Sequence, residues 1–83
     1  MLYYLIVCRS LTYAQLTAAA LVRAGISAYI MRAPKSIAGE GGSQSVNIAQ
    51  RHLTQALQIL NRVGLSPKRV FIAQGGYYEE VAL

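Results

Sequence analysis

The sequence predicts one α+β domain built in two layers, and three observations carry that expectation. Extended and helical patterns alternate in the order β-α-β-β-α-β. Each helical stretch stops at a glycine, Gly25 and Gly64. Apolar residues make up 54% of the 83 residues and charged ones 13%, which suits a single thin core and is far from a disordered composition.

The elements follow in order. Residues 2–7, LYYLIV, are apolar throughout and rich in β-branched and aromatic side chains, as in a strand with apolar surroundings on both faces. The run is too short to span a bilayer and lacks the basic start of a secretory signal, so a strand is expected there and no membrane contact. Ser10 is a natural N-cap. Leu11, Ala14, Ala18, Leu21 and Val22 then recur at helical spacing up to Gly25. Residues 27–33 form a second strand, closed by Pro34. A loose stretch with Gly39, Gly41 and Gly42 leads to a third strand over 43–49, where polar and apolar residues alternate. Residues 50–63 read as a second helix with Leu53, Ala56, Leu57 and Leu60 on its apolar stripe. Pro67 turns the chain into a last strand over 69–74. Residues 1–74 thus make the domain, and 75–83 are left as a C-terminal tail.

Two strand–helix–strand halves in this order predict a ferredoxin-like plait, with two helices on one face of a four-stranded antiparallel sheet. In the first strand Tyr3, Leu5 and Val7 point one way, and Tyr4, Ile6 and Cys8 the other. Both rows are apolar, yet the helices can cover only one. The other is expected to be an interface, most simply a homo-oligomer through the apolar sheet face or an edge strand, with a protein partner as the alternative.

Eight Lys/Arg against three Glu give a net charge of +5, which favours anionic partners. The basic residues are dispersed, as on an ordinary solvated surface. One cysteine, Cys8, and one histidine, His52, exclude an intrachain disulfide and a structural zinc site. The lone thiol fits a reducing cytoplasm.

The stretch YYLIVCRSLTYAQLTAAALVRAGISAYIMRAPKSI resembles the selenium/sulfur carrier protein-like family. That resemblance rests on Ser10 at the first helix start, on Ala24-Gly25-Ile26 at its end, on Pro34-Lys35-Ser36-Ile37 after the second strand, and on LTQALQILNRVGL in the second helix. It covers roughly the first 65 residues. It implies a carrier Cys-Gly pair shortly after the proline stretch, which falls here on Gly41-Gly42. A glycine cannot hold sulfur or selenium as a persulfide or its selenium analogue, so the resemblance implies a scaffold with the carrier cysteine replaced.

Cys8 is then the one remaining thiol and the weak catalytic candidate. Its place beside Arg9 and before a helix N-terminus favours a thiolate; the plainer reading is a small apolar residue ending a buried strand. The glycine-rich loop could form an anion nest, which makes Arg9, Ser10, Arg32, Lys35, Gly41 and Gly42 the anion- or ligand-binding candidates. Against that stands a simple flexible connection. The phosphate-loop pattern fails because Gly42-Ser43-Gln44 leads into a strand, and no dinucleotide pattern opens a helix, so no cofactor is expected. His52 reads as a surface residue with no catalytic partner nearby. RNA binding in the manner of plait folds is disfavoured, because the third strand carries no aromatic residue. The expected function is a non-enzymatic binding or interaction module, with a thiol carrier using Cys8 as the alternative.

Overall fold

The computed structural model describes residues 2–39 and 43–83. The chain runs β1 (Tyr3–Cys8), α1 (Leu11–Arg23), β2 (Tyr29–Arg32), a single turn α2 (Lys35–Ala38), β3 (Gln44–Ala49), a 3-10 turn (Gln50–His52), α3 (Leu53–Arg62), β4 (Arg69–Gln74) and β5 (Tyr77–Glu80). The five strands form one antiparallel sheet in the order β2-β3-β1-β4-β5. The architecture is α+β, as the sequence predicts. Strand β1 lies inside the sheet between β3 and β4, where a segment apolar on both faces belongs.

Both long helices end in the same way. After α1, Gly25 N–H donates to the Val22 carbonyl and Ile26 N–H to the Leu21 carbonyl, at 3.0 and 2.9 Å. After α3, Gly64 and Leu65 repeat the pattern onto Asn61 and Leu60, at 3.3 and 2.8 Å. These are Schellman ends, which need a residue at positive φ; Gly25 and Gly64 supply 89° and 78°. Each end also swings an apolar side chain, Ile26 or Leu65, back against the core. The start of α1 is fixed by Ser10, whose Oγ accepts from the Tyr13 N–H at 3.2 Å.

The predicted second helix divides into the 3-10 turn and α3. No side chain caps its entry from β3, and a tight turn is one way to satisfy uncapped amides. Residues 75–83, read as a tail, contain β5. Gly75 and Gly76, with φ of 54° and 87°, make the two-residue loop that joins it to β4.

Register sorts the side chains by face. Tyr4, Ile6, Cys8, Val46, Ile48 and Val70 share the core with Ala14, Ala18 and Leu21 of α1 and Ala56 and Leu60 of α3. Leu21 and Leu60 are fully buried, each contributing about 1.5–3 kcal/mol of burial free energy. The opposite face carries Tyr3, Leu5 and Val7 with Phe71 and Ala73. It is not left wholly bare. Ile37 of α2 packs against it, and Leu5 is only 2% exposed.

Candidate functional site

Antiparallel pairing decides what meets at the end of β1. Val7 pairs with Arg69, the first residue of β4, and Cys8 pairs with Gln44, the first residue of β3. Residues just beyond those ends must therefore converge. They frame a cleft of about 450 Å³, with Cys8 and Arg9 from β1, Tyr13 and Thr17 from α1, and Ser43 and the 64–69 stretch around it.

The cleft is basic. Arg9, Lys68 and Arg69 line it, and among the described residues the carboxylates Glu79 and Glu80 sit on β5 alone. Arg69 is partly neutralised: it reaches Glu80 at 3.3 Å and lies 4.9 Å from the Phe71 ring centre. Both partners of that ion pair are half exposed, so its contribution is small, below about 1 kcal/mol. The Arg9 guanidinium lies over the Tyr13 ring, 4.0 Å from its centre, and donates to the Tyr13 hydroxyl. Neither Arg9 nor Lys68 has a carboxylate partner among the described residues.

Cys8 looks inward from the cleft wall. It is 7% exposed, with Sγ 3.7 Å from the Ile6 carbonyl oxygen and 3.9 Å from Thr17 Oγ1. Burial pushes the thiol above its ordinary value of 9.0, and the Thr17 hydrogen bond offsets only part of that. This is the reverse of the direction expected from the helix end and Arg9. The Tyr13 amide is taken by Ser10, and the Arg9 charge is turned onto Tyr13, so burial outweighs both.

The remaining expected residues do not gather here. Ser10 is engaged as the cap of α1. Arg32 and Lys35 are exposed at the end of β2 and the start of α2, and neither lines the cleft. Gly41 and Gly42 lie outside the described residues. Their neighbour Ser43 does border the cleft. Lys68, Arg69, Tyr13 and Thr17 escaped the sequence reading. The signal was Lys68-Arg69 after Pro67, which lands beside Cys8 once β4 is paired with β1. His52 is half buried beside a second cavity. Among the described residues, no three His, Cys, Asp or Glu converge as metal ligands would, and no helix is long and apolar enough to cross a membrane.

No curated protein and no solved structure matches the chain. A family model described as "Putative Se/S carrier protein-like" matches residues 3–72, which takes in β1 through most of β4. A match that spans 3–72 of the 83 residues, from β1 to β4, places this chain in the Se/S carrier protein-like family.

Proposed function

We propose that this chain is a non-enzymatic binding module of its family, in which the basic cleft receives an anionic group of a ligand or protein partner and Cys8 is a core residue. One observation carries this reading: the only thiol of the chain is buried, faces Thr17 and has its pKa raised. A carrier thiol must be both exposed to its donor and ionised near neutral pH. Replacement of the carrier cysteine at Gly41-Gly42 belongs to the same reading.

Iodoacetamide labelling of the native chain tests it. Cys8 should label slowly near neutral pH and rapidly once the chain is unfolded in urea. Fast native labelling would instead favour the second reading, a sulfur or selenium carrier using Cys8. That reading draws on the place of Cys8 in the cleft wall beside Arg9.

The strand order β2-β3-β1-β4, with α1 and α3 on one face, supports a ferredoxin-like plait extended by β5 at one edge. Cross-strand NOEs between β1 and β3 and between β1 and β4 check this, and a different strand order would refute it. The lone cysteine supports a cytoplasmic setting, which cell fractionation would check.

A further inference from the structure

A second cavity lies on the sheet face turned away from α1 and α3. β2 begins only at Tyr29, opposite Asn47, so β3 continues past it to Ala49 without a β2 partner. The missing pairing leaves a notch of about 560 Å³, within the range of small-molecule sites, roughly 300–1,000 Å³. Tyr3 and Tyr29 line it, with Met31, Asn47, Ala49 and Arg51. Tyr3 pairs with Ala49 and Tyr29 with Asn47, so the two tyrosines stand on opposite sides of β3 with a small residue between them.

Asn47 shows what the notch lacks. The residue is 9% exposed. Oδ1 accepts from Ser45 Oγ at 2.9 Å, a hydroxyl that also lies 3.4 Å from the Met31 carbonyl oxygen. Nδ2 then faces the thioether of Met31 at 3.1 Å. A thioether is a weak acceptor, and an amide nitrogen carries two hydrogens. A buried donor with so poor a partner favours a ligand atom that accepts a hydrogen bond. The rim is open: Tyr29 is 67% and Met31 53% exposed. Arg51, with no carboxylate partner among the described residues, adds a positive charge at one side.

We propose that this notch binds a small planar heteroaromatic ligand bearing an anionic substituent. The tyrosines stack on its ring, the Asn47 amide donates to a ring or exocyclic acceptor, and Arg51 pairs with the charge. A row of stacked RNA bases is a poorer fit, because the β3 residues on this face are Ser45, Asn47 and Ala49, none of them aromatic. The site is separate from the cleft at Cys8 and does not depend on its reading.

The test uses adenosine 5′-monophosphate as probe, with adenosine, ribose 5-phosphate and a short oligoadenylate for comparison. Six tyrosines and no tryptophan make tyrosine emission a direct readout of stacking, and the Asn47 side-chain amide resonance reports the notch itself. Saturable binding of the monophosphate that shifts the Asn47 resonance is expected. Tyr29→Ala should weaken it by about fivefold to a hundredfold, the range of one stacked base. Arg51→Gln should weaken the monophosphate but not adenosine. Tyr77→Ala, on a side chain 82% exposed in β5, should change nothing. Both tested side chains are exposed, so folding is preserved and circular dichroism confirms it. The proposal is overturned by no saturable binding of monophosphate or adenosine, by equal binding in Tyr29→Ala, or by ribose 5-phosphate binding as well as the monophosphate. Much tighter binding of the oligoadenylate would also overturn it and give the face to RNA.

Discussion

Cys8 ends β1 with its sulfur between the Ile6 carbonyl and the Thr17 hydroxyl, in contact with the core of the molecule. That position links its protonation to folding. Its folded pKa is raised above the ordinary 9.0, so the unfolded chain loses the proton first as pH rises. The stabilising contribution is therefore fully present below about pH 9 and falls as pH climbs from the unfolded toward the folded pKa. Tyr3 adds to the same trend at higher pH, because burial and then Tyr78 raise it above 10.0. Urea midpoints of the wild type should fall between pH 8 and 10.5, while Cys8→Ala should show a shallower fall over the lower part of that window. Parallel slopes would show that the thiol titrates alike in both states. Ser10 shows how local a sequence signal can be: its hydroxyl needs only the amide three residues on, so the cap was readable without knowing the fold.

At the level of elements, the helix ends and the β4–β5 hairpin carry the strongest local signals. Ala24-Gly25-Ile26 and Val63-Gly64-Leu65 close α1 and α3 by one hydrogen-bond pattern. A Cβ on Gly64 would meet nothing within 4 Å, so any cost of Gly64→Ala comes from backbone conformation alone. It should lower stability by about 1 kcal/mol, the usual penalty for a non-glycine residue in the left-handed region. Equilibrium urea unfolding measures it, and a neutral effect would mean that the end of α3 rearranges. The extent of β2 and the entry to α3 were less legible. Nothing in residues 27–33 says that pairing begins only at Tyr29, since that depends on β3 running on to its 3-10 turn.

For the whole molecule, the question is the sheet face away from the long helices. The first-strand pattern shows that this face is apolar, and Leu5, Phe71 and Ala73 bear that out. We propose that self-association uses what is still exposed. The Ile37 turn covers the centre, while Tyr29 and Met31 on the β2 edge and Tyr77 on β5 stay open. Unpaired edge strands of this kind invite pairing with another copy. Light scattering at micromolar concentration should therefore give a mass above one chain, reduced by Met31→Lys at the β2 edge. A strict monomer throughout that range would remove the case for an oligomer.

The sequence alone determined the properties that act over a few residues. Strand and helix periodicity, the Ser10 cap, the glycine stops, the family resemblance and the alternation of β1 all follow from neighbours close in the chain. Only the tertiary structure decided which distant ends meet. Pairing β4 with β1 brought Lys68 and Arg69 to Cys8. The helix-side core buried the Cys8 thiol and raised its pKa, against the direction in which Arg9 and the helix start act. The late start of β2 opened the notch around Asn47. Those outcomes depend on register between segments tens of residues apart, where a one-residue slip exchanges the faces, and no local pattern fixes that choice by itself.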